Sequence, residues 1–530
     1  MRIVLALLCL FCTFYSSHQL SSPEDDSYWA GVVEFSSKDK MTTTDSPATY
    51  VARTLAKYKE IINSPDADPL DILVFPESTA NAIETASFVP DPADKLAPCN
   101  NLQYEPIVRE LSCMAATRKL YLVVNLVEKA NCPETDDVRP CASNDLNHFN
   151  TNVVFDHRGI VIARYRKFNL FGEDGINTTV SAQHVTFETD FGVTFGTFIC
   201  FDLMFDEPAL KLIRSGVTDI IFPTMWFSEL PFLTGVQIQQ AWAYKNNVNL
   251  LAAGASYPEV GSTGTGVYSG KRGRIVSVMN HQAETKLYVA PVPKINRPQA
   301  EIKKQPTIKY TAAQMDTLKL KRDQIDGYRT IDLPLQKTST YEASLCQNRL
   351  CCNFNIDYDL AGPVTTRQFY HYKMAILDGK RTFDGFADGY ITACAIFACT
   401  GTTLDTCATR FEHGANTVPM FVFNSIEMTG TFPGGEEVFL LPNSVDTSIL
   451  PLEVDEIEYS EKKVTKDGKP FVEITHKLVK QRSDLYSFAI WGRKFAQEPN
   501  AAVPVSIGST LLVLVAAVCS IMLKDRHQEL

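Results

Sequence analysis

Between residues 28 and 292, apolar positions recur first at strand spacing and then at helical spacing, over and over. Trp29-Ala30-Gly31-Val32-Val33-Glu34-Phe35 reads as a buried strand, and residues 49–62 place Val51, Leu55, Tyr58 and Ile62 on one helical face. Residues 71–75 and 121–127 are further strands. Residues 153–155 and 160–163 flank Asp156-His157-Arg158-Gly159, a good hairpin turn. Phe191, Val193 and Phe195 alternate with Gly192, Thr194 and Gly196 as one face of a half-buried strand. Residues 219–222 follow a short helix that stops near Gly216, and Leu233, Val236, Ala241, Tyr244 and Val248 predict an amphipathic helix. Alternation of this kind predicts an α/β domain over 28–295, with helices packed on sheets.

The texture then changes. Residues 296–336 are polar and rich in Lys and Gln, and they read as a linker. Residues 337–495 hold six cysteines, many Thr and aromatic residues, and short strand-like runs such as Met420-Phe421-Val422-Phe423. They predict a second, mostly β domain braced by disulfides. Two domains also suit a chain of 530 residues, too long for one core.

Both ends carry apolar runs. Met1-Arg2 precedes an apolar stretch too short to cross a bilayer comfortably, followed by Ser16 and Ser17, so residues 1–17 read as a cleaved signal peptide rather than an uncleaved anchor. Residues 503–523 have the length of a membrane-spanning helix, with Lys524 and Arg526 as a positive-inside stop. Almost nothing follows them, and Asn500-Ala501-Ala502 are small enough for lipid attachment at Asn500. A glycolipid-anchor signal is preferred over a single span; either places the protein at the cell surface through the secretory pathway.

Cysteine usage fits that compartment. Setting aside Cys9, Cys12 and Cys519 in the apolar ends leaves eleven of the 14 cysteines, an odd number that implies one free thiol. If Cys200 is that thiol, the other ten could form five disulfides, in a pairing the sequence leaves open. No Cys-x-x-Cys pair with matching histidines appears, so no metal is expected. Asn177-Thr178-Thr179 is a glycosylation sequon at Asn177. A net charge of -11 argues against a nucleic-acid partner, which needs a basic face.

Three polar residues stand just past strand-like segments: Glu77 after Val74-Phe75-Pro76, Lys167 after the second hairpin arm, and Cys200 after Thr197-Phe198-Ile199. Functional groups in α/β proteins collect beyond the carboxyl ends of strands. Singly, each has a plainer reading: a helix-start glutamate, a solvated lysine, a core or disulfide cysteine. Together they meet a chemical need. Amide hydrolysis by a thiol requires a nucleophile, a base to take its proton, and a cation at the developing oxyanion.

Phe75-Pro76-Glu77-Ser78, Arg166-Lys167-Phe168-Asn169-Leu170-Phe171-Gly172-Glu173 and Gly196-Thr197-Phe198-Ile199-Cys200-Phe201-Asp202 resemble, in order, the three catalytic blocks of the nitrilase superfamily. Phe222-Pro223-Thr224-Met225-Trp226-Phe227, Ala241-Trp242-Ala243, Gly264-Thr265-Gly266-Val267-Tyr268 and the later Leu350-Cys351-Cys352 are similar to its vanin/biotinidase branch. The resemblance implies an α-β-β-α sandwich for the first domain. It also implies Glu77 as base, Lys167 as oxyanion stabiliser, Cys200 as nucleophile, and Glu173 as a supporting carboxylate. It further implies a small-molecule linear amide as substrate, pantetheine or alternatively biocytin, with no organic cofactor. Trp226, Phe227 and Tyr268 are candidates to line the acyl pocket. A papain-like protease would need a histidine in context beside Cys200, and neither His157 nor His184 stands in one. The remaining competitor is a membrane-tethered binding protein that has lost its activity; selective alkylation of Cys200 separates the two.

Overall fold

The computed structural model describes residues 20–37, 46–133, 141–142, 144–297, 301–336, 339–363, 367–412, 417–434 and 438–495. The expected signal peptide, Asn500 and the apolar run 503–523 lie outside these residues.

Strand alternation builds the first half. A six-stranded mixed sheet runs in the order Lys286–Pro293, Ser27–Glu34, Ile72–Val74, Tyr121–Asn131, Leu146–Phe155, Val161–Arg166. Successive side chains on a strand point to opposite faces. Val33, Leu73, Leu122 and Val124 therefore face one way and bury Leu55, Tyr58 and Ile62 of the helix Pro47–Ile62 and Val108 and Leu111 of the helix Pro106–Arg118. Ala30, Val32, Ile72, Val74 and Val123 face the other way. They meet Phe195, Ile221, Leu251, Ala253 and Val267 of a second six-stranded sheet. Its order is Arg274–Val278, Thr265–Ser269, Asn249–Gly254, Asp219–Thr224, Thr194–Thr197, Thr186–Glu188. The outer face of that sheet, with Ile220, Phe222, Leu250 and Ala252, packs on Ile238, Ala241 and Trp242 of the helix Gly235–Asn246. The layers are α-β-β-α, as expected.

The second half is two five-stranded antiparallel sheets. One runs Arg329–Asp332, His371–Phe383, Ala387–Cys399, Leu485–Lys494, Val438–Asp446; the other runs Ser339–Gln347, Leu350–Leu360, Phe421–Pro433, Lys469–Leu478, Ile457–Lys466. Cys352, Phe354, Ile356 and Tyr358 alternate inward along the strand Leu350–Leu360, and Cys352 bonds Cys394 of the other sheet. Five disulfides form among the described residues, Cys99–Cys113, Cys132–Cys141, Cys346–Cys351, Cys352–Cys394 and Cys399–Cys407, and Cys200 is free.

The polar stretch before this half makes specific contacts of its own. Met315, Leu318, Ile325 and Tyr328 are buried, and Lys321–Arg322 pairs in parallel with Glu229–Leu230. Scattered apolar residues at irregular spacing carry no period, so the polar majority dominates the sequence pattern there.

The candidate active site

The strand Ile72–Val74 ends at Phe75-Pro76, and the next residue is Glu77. Arg166 ends another strand directly before Lys167, and Thr197 ends a third, three residues before Cys200. Face-to-face packing of the two sheets brings these strand ends together. Glu77 and Lys167 are both almost fully buried, with Lys167 Nζ donating to Glu77 Oε1 at 2.8 Å. The same Nζ donates to Glu173 Oε1 at 2.5 Å. The other Glu77 oxygen accepts the backbone N–H of Met225 at 2.7 Å, just past the strand Asp219–Thr224.

Electrostatics follow from this crowding. Burial acts to lower the Lys167 pKa, but Glu173 and Glu77 outweigh it and hold the ammonium charged well above its ordinary range. Burial would raise Glu173, yet the contact with Lys167 keeps its carboxyl below the usual value. Cys200 is pushed up by burial and by the Glu77 charge, with Lys167 opposing in part. These surroundings favour the thiol form of Cys200 over the thiolate.

Cys200 sits at φ 45° and Ser78 at φ 57°, left-handed conformations that cost energy for residues with a Cβ. Beside each stands a buried polar side chain to which the sequence pattern assigns no role. Asp202 Oδ2 accepts Ile199 N at 3.1 Å and the Tyr165 hydroxyl at 2.7 Å, while Oδ1 accepts Asn169 N at 2.8 Å. It thereby ties the Cys200 turn to the segment on either side of Lys167. Burial raises the Asp202 pKa to about 6. Asn125 Oδ1 accepts Ser78 N at 2.9 Å, and its amide donates to Asn150 Oδ1 at 2.6 Å. Asn150 in turn donates to Glu77 Oε1 at 2.8 Å. The readable signal was Asn125 within Val123-Val124-Asn125-Leu126-Val127, and Asn150-Thr151-Asn152 on a strand otherwise apolar toward its end. A polar side chain at a core position of a strand demands a partner.

A small cavity of about 40 Å³ opens beside Cys200, walled by Phe171, Phe201, Met225, Trp226, Phe227, Phe383 and Asp384 among others. Trp226 is fixed there by donating Nε1–H to Leu233 O at 2.8 Å. Tyr268 is placed elsewhere: it is fully buried under the helix Gly235–Asn246, donating to Gln239 Oε1 at 3.0 Å, and does not line this space. Its strand Thr265–Ser269 is buried throughout, so an aromatic ring there serves the core. Asn177 is half-buried on the loop after Glu173, and its Oδ1 accepts His148 N at 2.9 Å. Among the described residues, no group of three or more His, Cys, Asp or Glu side chains is placed to hold a metal ion.

Comparison with known proteins matches residues 42–291 to the carbon-nitrogen hydrolase family and residues 318–498 to the Vanin C-terminal domain. The chain is 41% identical over 499 residues to Vanin-like protein 1 of Drosophila melanogaster, covering 91% of this chain and 88% of that protein. It is 30% identical over 450 residues to the Pantetheinase of Homo sapiens, covering 82% and 80%. Among solved structures it is similar to an amidase from Nesterenkonia sp. AN1, at 17% identity and a TM-score of 0.36, over 50% of this chain and 93% of that one.

Proposed function

This chain belongs to the vanin family of carbon-nitrogen hydrolases, and from that premise we propose that it hydrolyses the linear amide of pantetheine through a thioester on Cys200. The observation that carries this reading is one buried ammonium, Lys167, shared by two carboxylates within 2.8 Å, next to the free thiol.

Glu77 takes the Cys200 proton as Sγ attacks the amide carbonyl. Negative charge grows on the carbonyl oxygen, and Lys167 Nζ, already charged and desolvated, stabilises it without reorganising. Glu77 then returns the proton to the leaving amine, and cysteamine departs. Water, deprotonated by the same carboxylate, attacks the thioester and releases the acid with the thiol restored. Glu173 holds Lys167 in position throughout. Trp226 and Phe227 border the acyl chain.

The hydrolase domain spans 28–295 and the vanin-type domain 337–495 in this reading. The five disulfides support folding in an oxidising secretory compartment. Residues 503–523 act as a glycolipid-anchor signal with attachment at Asn500, and Asn177 carries a glycan. Release of the protein from cells by a phosphatidylinositol-specific phospholipase tests the anchor; a spanning form stays on the membrane. Incubation with pantetheine and with biocytin tests the substrate: cysteamine is the expected product, and turnover of biocytin alone replaces pantetheine.

A further inference from the structure

One wall of the catalytic cavity comes from the second half of the chain. The strands His371–Phe383 and Ala387–Cys399 form a hairpin, and Phe383 and Asp384 at its tip line the same space as Cys200 and Trp226. The tip is fixed on both sides. Phe383 meets Phe201 edge-on at 5.3 Å between centroids, and Phe386 meets Phe171 at 5.2 Å. Phe386 lies so close to Gly172, next to Glu173, that a Cβ there would come within 2.4 Å of its ring.

Two carboxylates line this cavity, Glu229 and Asp384. Arg381 holds Glu229 in a two-pronged grip at 2.6 and 3.0 Å and pairs with Asp323 at 2.7 Å as well, so one guanidinium answers two carboxylates. Asp384 contacts Lys321, whose ammonium also stands over the Phe227 ring at 4.9 Å. Neither cation lines the cavity. Three carboxylates, Glu229, Asp323 and Asp384, thus share two cations beside a lining of aromatic rings and carboxylate oxygens, which accepts hydrogen bonds and disfavours anions.

We propose that this hairpin sets substrate selectivity: Asp384 accepts hydrogen bonds from hydroxyl or amide N–H groups on the substrate beyond its scissile amide, and turns away substrates carrying a carboxylate there. The inference rests on the amide-hydrolase reading above. Like charges a few ångströms apart in a partly screened cavity repel strongly enough for a roughly tenfold discrimination.

Two cysteamine amides of matched chain length, one acyl chain ending in a hydroxyl and the other in a carboxylate, test it on the full-length protein. The wild type prefers the hydroxyl amide by about tenfold in kcat/KM. Asp384→Asn narrows that ratio to within about threefold, chiefly by lowering KM for the carboxylate amide. Asn is the substitution to use because Asp384 sits at φ 52°, where Asn is tolerated. Lys321→Gln leaves Asp384 less compensated and widens the ratio. A wild-type ratio near unity, or a ratio unchanged in both variants when each melts like the wild type, overturns this inference alone. Absence of cysteamine from both amides overturns the hydrolase reading, and this inference with it.

Discussion

The side-chain amide of Asn150 donates at 2.8 Å to the same Glu77 oxygen that accepts Lys167. Two donors on one oxygen fix the carboxylate plane, while Met225 N fixes the other oxygen. Asn150→Ala removes one of those supports and lets the Glu77 carboxylate, the base in the proposed mechanism, swing. A misplacement of about 1 Å costs roughly a hundredfold, so kcat falls between about tenfold and a hundredfold with KM little changed. Steady-state kinetics check this, alongside a melting curve showing that the variant is folded.

Cys200 reactivity has a pH signature. Burial and the Glu77 charge raise its pKa above the ordinary value of 9.0. Alkylation by iodoacetamide therefore keeps climbing with pH beyond the point where an ordinary cysteine levels off. Two variants move it in opposite directions. Glu173→Gln removes a charge that raises the thiol, so Cys200 alkylates faster at fixed pH even as turnover drops. Lys167→Met removes the charge that lowers it, and alkylation slows. Mass spectrometry of the Cys200 peptide against time reads all three.

Glu34 is fully buried and accepts hydrogen bonds from Thr263, at 2.5 Å, and from Thr265. Burial raises its pKa from 4.5 to about 7. The folded protein keeps this proton up to about pH 7, whereas the unfolded chain releases it near pH 4.5. The native state thus binds more protons across that window, and the group's contribution to stability is lost as pH rises through it. Glu34→Gln abolishes that loss, which is about 3 kcal/mol at most. Denaturant unfolding of wild type and variant at pH 5 and pH 8, disulfides intact, gives the comparison; equal pH dependence in the two contradicts the assignment.

Much of this was legible in the sequence, and the exceptions have physical causes. Glu77, Lys167 and Cys200 each follow a strand end within three residues, but singly each reads as an ordinary residue; it was the order of the three blocks, resembling those of the nitrilase superfamily, that set them apart. Asn125 and Asn150 show in the sequence only as polar residues within apolar strand segments, and what they hold is set by partners distant in sequence, Ser78 and Glu77. The helix Gly235–Asn246 was expected to show one apolar face. It buries nearly its whole circumference instead: Gln237 bonds Asn443 at 2.6 Å and Gln240 bonds Leu452 O at 2.6 Å. Contact with the second half of the chain turns its polar side into an interior one, which no local period encodes. The disulfide pairing was open for a similar reason. Cys352 and Cys394 lie on different sheets, and only the packing of those sheets brings them together.

That bridge carries a stability prediction. It closes a loop with a sequence separation of 42 residues between the two sheets. Chain-entropy arguments put the effect of such a link near 4 kcal/mol. Replacing both cysteines by alanine lowers the unfolding free energy by up to about that amount, with the melting temperature as a second readout. Neither cysteine lines the cavity beside Cys200, so the folded fraction should retain its activity per molecule.

In the proposed mechanism Cys200 forms a thioester with the acyl part of an amide substrate. Rapid acid quench of the purified protein with pantetheine, followed by intact-mass analysis, measures it directly. The account predicts an adduct of pantothenoyl mass on Cys200 with cysteamine released, and neither product from Cys200→Ala. Cysteamine release that persists in Cys200→Ala would contradict it.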